Sequence, residues 1–524
     1  MTNDPVVVDG ESLTPDDVER VARDGAPVRI SEEARERVRE SRERIVDIVE
    51  SGDAVYGVNT GFGELVQERI PKDDIETLQQ NLVRSHAAGT GRDLAQEEVR
   101  AMLVTRLNAL VKGYSGVRER IVDVLVKMVN EAVHPVVKAK GSLGASGDLS
   151  PLSHLALVVT GEGEATVDGE QLSGAEALRR KNIEPVTLRA KEGLGLINGT
   201  QLTVGLASLV VCDAERAMRA ADIAGAMTTE ATMSTTASSH PSIQRVRPHQ
   251  GQTESAANVR RLTRNSEIVE SHRNCDRVQD AYSLRCLPQV HGAVRDSIQH
   301  LREAVETELN SATDNPLVFP AENADDRASG TERAAVISGG NFHGQPLALR
   351  LDYVTSGLAE LASISERRMD RMLNPNVQEK HLPPFLTEGS GLRSGYMIAQ
   401  YTAADLVSTN RSQGRPAMDS IPVSGNQEDH VSMSAQSAYI ARETVESTLR
   451  VVGIELACAA QALDFVEDLT PGVGTDAAYQ EVREHVPHLD EDRPIHRDIE
   501  SMLALLRSDT VLDAVETALD EPLA

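Results

Sequence analysis

Residues 141–154 read GSLGASGDLSPLSH, and at their centre Ala145, Ser146 and Gly147 are followed by Asp148. None of the three small side chains is a strong acid, base or nucleophile. Their smallness instead permits chemistry of the backbone. In a tight enough turn the Gly147 nitrogen attacks the Ala145 carbonyl, and loss of water closes a five-membered ring. Loss of the Ser146 hydroxyl as a second water leaves an exocyclic methylene. The product is a methylidene-imidazolone, an electrophile that no standard side chain offers. Gly147 is needed as an unhindered nucleophile, Ser146 for its leaving hydroxyl and Ala145 for a compact carbonyl, while Asp148 is placed to move protons. Ala-Ser-Gly is also common by chance, and alone it reads as a small-residue loop between helices.

Other loops share an unusual character. YGVNTGFG, GLGLINGTQ, QDAYSLRCLPQ, NSATDNPL, SGGNFHGQP and SGNQEDH are rich in uncharged or amide-bearing residues where surface loops are usually charged. Such loops are expected to be buried and functional. Singly, their residues have plain readings. Arg285 reads as a salt-bridge partner, Tyr56 as a packing tyrosine, His86 as a satisfied core histidine and Glu428 as a surface acid. The run QEDH invites a metal, but adjacent residues cannot all point at one ion, so no metal site is expected.

The wider string changes the weighting. The twenty-five residues GSLGASGDLSPLSHLALVVTGEGEA resemble the signature of the aromatic amino-acid ammonia-lyases and related aminomutases. The resemblance implies that Ala145, Ser146 and Gly147 form the prosthetic 4-methylidene-imidazol-5-one (MIO) autocatalytically: an imidazolinone cross-link from Ala145 to Gly147, with Ser146 becoming 2,3-didehydroalanine. No external cofactor is implied. The remaining loops resemble the family in order along the chain. Tyr56 matches a mobile-lid tyrosine, His86 a substrate-selectivity position and Asn198 a contact to ring or substrate. Gln279, Tyr282 and Arg285 fall in VQDAYSLRCLPQ, and Asn315 in NSATDNPL. Phe342 is implied beside the ring with Asp148 in support, and Gln427 and Glu428 fall in SGNQEDH. Two positions depart from the pattern: Leu287 where a polar residue is expected, and Ala281 where proline is common.

The resemblance also bears on the substrate. Family members acting on phenylalanine and tyrosine have NQD where this chain has NQEDH, and those acting on histidine have the Glu. An imidazole carries N–H donors, so Glu428 has a physical reason to be there; a benzene ring has none. His86 fits a polar substrate ring, although a tyrosine enzyme can use it too. L-Histidine is therefore the implied substrate and trans-urocanate the product, the first step of histidine degradation toward glutamate. A tyrosine or phenylalanine ammonia-lyase or aminomutase on the same scaffold is the alternative. Arg285 is implied to hold the carboxylate. Tyr282 or Tyr56 is implied as the base, with Glu428 binding imidazole or sharing the proton. A phenol ordinarily titrates near ~10, so such a base needs help from its surroundings at neutral pH. The family's homotetrameric assembly, with sites mixing loops from several subunits, is also implied.

These residues need a scaffold. At 524 residues the chain is too long for one ordinary core. Hydrophobic residues make up 40 %, but aromatics only 2 % and Trp is absent, so the interior must be aliphatic, which suits close-packed helices. Long Ala-rich patterns recur: TQLTVGLASLVVCDAERAMRAADIAGAMTTEAT, PLALRLDYVTSGLAELASISERRMDRML and SAYIARETVESTLRVVGIELACAAQALDFV. They indicate a mainly α fold, a long up-down helical bundle of the ammonia-lyase/fumarase-like type with a smaller loop-rich N-terminal domain. The expected division is 1–202, carrying the reactive loop, and 203–524. Thr14 and Ser31 are expected to start helices, Asp168-Gly169 to turn a hairpin, and the polar residues 320–336 to form a surface loop. The chain lacks the GSSxMPxKxN signature of fumarase-type lyases.

Charge narrows the partners. The net charge is −28 and only eight lysines occur. An acidic surface disfavours nucleic acid and anionic membranes, and acidic, lysine-poor chains resemble proteins of salt-loving cytoplasms. Four cysteines without metal spacing suit reduced thiols and a cytoplasmic setting. Neither a signal peptide nor a membrane-length apolar run is expected.

Overall fold

The computed structural model describes residues 4–51, 55, 57, 74–275, 277–323 and 328–524. The fold is mainly helical. Its four longest helices are Gln201–Ala231, Leu287–Leu309, Gln345–Leu373 and Ser434–Leu463. Nearly every residue of Gln201–Ala231 is buried, which its composition of Ala, Gly, Val, Leu and Thr allows on all faces. Its buried hydroxyls bond back along the helix, Ser208 Oγ to Val204 O and Thr229 Oγ1 to Gly225 O, and so carry no unpaired polar group.

By packing, the chain divides into two units. The first comprises Met1–Cys212, Leu301–Asp352 and Arg415–Tyr439; the second comprises Asp213–His300, Tyr353–Gly414 and Ile440–Ala524. The expected boundary at 202/203 lies at the start of the helix Gln201–Ala231, whereas four of the five cuts fall inside long helices. Two later segments cluster with the N-terminal one because their loops pack on it.

The first unit also holds the short strands. Val6–Val8 pairs with Val28–Ile30 in parallel. Glu164–Val167 and Glu170–Ser173 form the expected hairpin, with Asp168 and Gly169 both at positive φ. Thr14 makes a capping box with Asp17, and Ser31 Oγ accepts from Ala34 N. The segment 320–336 is not simply a surface loop. Ala334–Ile337 pairs with Leu317–Pro320 and Ser329–Gly330, and Ala334 and Val336 are buried in an apolar cluster with Ile45 and Ile48. Residues 331–333 form the turn into the last strand, and the apolar run after them supplies that strand.

In the second unit a buried ionic network joins four helices. Arg368 donates to Glu455 through Nε and Nη2, at 2.5 and 2.8 Å, while Thr228 and Ser365 also donate to Glu455. His291 lies between Arg368 Nη1 and Asp222, at 3.0 and 2.7 Å. Burial pushes its pKa down, against the pull of Asp222. Leu287, in the position where a polar residue was expected, is buried and faces Gly225, where a Cβ would strike it.

Candidate active site

The reactive loop lies between the strand Lys138–Lys140 and the helix Leu149–Val159. Gly147 has φ +75 and pairs with Gly199 in a parallel bridge, and any Cβ on Gly147 would collide with the Gly199 backbone. Glycine is therefore required there twice, for its conformation and for its size. Asp148 N donates to Gly199 O at 2.7 Å. The Asp148 carboxylate is wholly buried and accepts from Ser142 Oγ at 2.8 Å, Thr203 N at 2.9 Å and Thr203 Oγ1 at 3.2 Å. Burial pushes its pKa up, and those bonds pull it down. Thr203 stands in the first turn of Gln201–Ala231, whose positive end favours an anion.

Ser146 is held at both ends. Its carbonyl accepts from Asn198 Nδ2 at 2.9 Å, and its hydroxyl donates to Glu428 Oε1 at 2.8 Å. Glu428 lies 282 residues away in sequence, and a specific seam brings it close. Ala145, Val431 and Met433 form a small apolar cluster with Leu143 and Val423. Met433 N donates to Leu143 O, Ser432 Oγ to Gly144 O and Gln436 Nε2 to Ser142 O. Gly144, at φ +64, faces the Ser432 and Ser434 hydroxyls where a Cβ would sit. Of the SGNQEDH loop, Glu428 is half-buried while Gln427 and its other residues are exposed, so the expectation of a buried loop holds there only for the glutamate.

Asn198 in turn is fixed from below by Arg106, which the sequence reading did not single out. Its guanidinium is fully buried and donates to Asn198 O at 2.8 Å, to Gln201 Oε1 at 2.5 Å and to Gly195 O. Burial pushes its pKa down to about 10. Nearby, Lys191 Nζ donates to Asp314 at 2.8 Å with both side chains buried. Glu308 is a further buried carboxyl: it accepts from Thr200 Oγ1 at 2.5 Å, and burial pushes it up to about 7. One signal was available for Arg106, a lone arginine inside the apolar run MLVTRLNALV.

The other residues singled out from sequence are spread more widely. His86 ends the helix Ile75–His86, and its Nδ1 lies 2.8 Å from Leu82 O. That bond makes Nδ1 the donor and leaves Nε2 as an acceptor. Asn315 is buried, accepts from Gly339 N at 2.7 Å and bonds Ser338, tying down the SGGNFHGQP loop. Phe342 in that loop is half-exposed, two residues before Gly344, whose N–H reaches Gly144 O at 3.4 Å. Gln279, Tyr282 and Arg285 belong to the second unit. Gln279 is exposed, Tyr282 is 70 % exposed, and the Arg285 guanidinium lies 4.8 Å from the centre of the Tyr282 ring. Tyr56 lies outside the described residues. The described residues include one cluster of metal-ligand type, Glu481, Glu484 and His485, which contains none of the residues above.

The Ala145-Ser146-Gly147 turn, pinned at Gly147 against Gly199, sits in a mainly helical frame. Residues 13–484 match the model of the aromatic amino acid lyases, and the chain belongs to that family. The chain is 62 % identical, over the full length of both, to a probable histidine ammonia-lyase of Halobacterium salinarum. Among solved structures, histidine ammonia-lyase from Trypanosoma cruzi matches with a TM-score of 0.90 at 42 % identity, covering 98 % of this chain and 96 % of that one. Tyrosine aminomutase from Streptomyces globisporus matches with a TM-score of 0.92 at 39 % identity, covering 99 % and 100 %. The fold is thus common to enzymes of different substrates, and the choice among them lies with individual side chains.

Proposed function

We propose that this chain eliminates ammonia from L-histidine to give trans-urocanate, with an MIO group formed from its own Ala145, Ser146 and Gly147. The observation that carries this reading is the 2.8 Å bond between Ser146 Oγ and Glu428 Oε1. It puts a carboxylate, the partner an imidazole N–H needs, at the serine that becomes the reactive centre. The residues present fit the group. Gly147 has neither a Cβ nor room for one, and the Ser146 carbonyl, which remains as the ring oxygen, already has its donor in Asn198. When formed, the group supplies an electrophile for the substrate amino group and turns it into a better leaving group.

The chain's own residues do the rest. Asn198 Nδ2 stabilises negative charge on the Ser146 oxygen as an oxyanion donor. Arg285 pairs with the substrate carboxylate, and Gln279 and Gln427 complete substrate binding. His86 presents Nε2 to an N–H of the imidazole. Tyr282, which has the Arg285 cation against its ring, or Tyr56 takes the base role. Glu428 orients the imidazole and shares the proton. Phe342 and Asp148 support the ring.

The same reading extends to self-association. On the second unit Tyr282, Tyr353, Leu392, Ile398 and Tyr401 are each at least half exposed, a set of large apolar groups that a second copy would cover. We assign the chain to a homotetramer whose sites are completed between copies, working in the cytoplasm with free cysteines. No helix among the described residues is long and apolar enough to cross a membrane.

The test is a side-by-side assay. L-Histidine should give the rising ultraviolet absorbance of urocanate, while L-tyrosine and L-phenylalanine give none of their unsaturated acids or β-amino isomers. Turnover of tyrosine without turnover of histidine would overturn the substrate assignment.

A further inference from the structure

The Ser146–Glu428 bond has a second consequence, which rests on the MIO reading above. The final dehydration breaks the Ser146 Cβ–Oγ bond, and hydroxide is a poor leaving group unless a proton reaches it. Asp148, the adjacent acid in sequence, is badly placed to provide one. Its oxygens are committed to Ser142 and to both donors of Thr203, and it has no exposure to solvent. Reaching Ser146 Oγ would mean abandoning bonds that hold the start of the helix Gln201–Ala231. Glu428 is already 2.8 Å from that oxygen and is half-buried, so it exchanges protons with water.

We propose that Glu428 is the general acid of MIO formation, a role it completes before the mature enzyme meets substrate. In the step, Glu428 takes a proton from solvent and reverses the bond it accepts at rest, donating to Oγ, while the Ser146 Cα–H bond breaks and its proton passes to water. Its electron pair forms the Cα=Cβ bond, the Cβ–Oγ bond breaks, and Oγ departs as water with the proton from the Glu428 carboxyl. Glu428 is left as the carboxylate. The balance is one water lost from Ser146, with no oxidant or reductant. Asp148 acts in this scheme as a positioning residue that fixes the turn for the earlier attack of Gly147 N on the Ala145 carbonyl.

The experiment follows ring formation rather than turnover. The full-length chain and its Glu428→Gln and Glu428→Ala variants are made by cell-free synthesis, sampled over time and read by intact mass. Circular dichroism and melting temperature check that each variant folds. Wild type should lose two waters. Both variants should fold yet complete the loss at least tenfold more slowly, and added formate should speed Glu428→Ala towards wild type while leaving Glu428→Gln slow. Variants that lose both waters at the wild-type rate would overturn the proposal and leave the lyase reading intact. A wild-type chain that never loses two waters would overturn the MIO reading itself. If the variants prove unfolded, the wild-type chain decides: its loss of the second water should slow as pH rises, and a rate that does not fall with rising pH would overturn the acid role.

Discussion

Ser146 has a partner at each end. Asn198 holds the carbonyl, which in the proposed chemistry survives in the ring, and Glu428 holds the hydroxyl, which in that chemistry does not. Replacing Ser146 by Ala should leave fold and assembly unchanged while abolishing turnover, checked by size-exclusion chromatography and the urocanate assay. Asn198→Ala should lower kcat by ~10²–10³-fold with a smaller change in KM, the usual effect of losing one oxyanion donor. The pair Ser146 and Glu428 was legible in sequence because each sits in a short contiguous motif whose residue types are chemically telling. Arg106, Ser142 and Thr203 were not, because an arginine, a serine and a threonine acquire meaning only from the carbonyls and carboxylates that folding brings to them. Arg106→Met should be destabilising by ~3 kcal/mol or more, since it orphans three buried acceptors; chemical denaturation measures it.

At the scale of elements, the site depends on how closely two loops approach. Gly144→Ala would impose a Cβ at φ +64 against Ser432 and Ser434. It should cost about 1–2 kcal/mol in backbone strain alone and slow MIO formation by moving Glu428 from Ser146. Glu308, beneath the start of the helix Gln201–Ala231, gives a pH signature. Its folded pKa of about 7 exceeds the ordinary 4.5, so between these values the folded chain keeps a proton that the unfolded chain releases. Its contribution is full below about 4.5 and is lost as pH rises through about 7, on the order of 3 kcal/mol at most. Glu308→Gln should flatten this part of the profile of melting temperature against pH. Helices were readable from long Ala-rich runs, the hairpin from Asp168-Gly169, and the caps from Thr14 and Ser31. The strand Ala334–Ile337 was not, because its four apolar residues follow a polar stretch and acquire strand geometry from Leu317–Pro320, a tertiary partner.

Across the whole molecule, charge and apolar exposure pull in opposite directions. A net charge of −28 makes the chain repel itself and other copies, while the exposed Tyr282, Tyr353, Leu392, Ile398 and Tyr401 of the second unit favour association. Added salt screens the first and leaves the second, so melting temperature and the fraction self-associated should rise together from low to molar salt, followed by calorimetry and light scattering. The central claim is that a backbone segment becomes the reactive group, and the intact mass of the purified wild-type chain tests it most directly. The account expects a mass lower than the sequence requires by two waters, with the loss confined to the peptide carrying Ala145, Ser146 and Gly147. A folded chain of full, unmodified mass would contradict it.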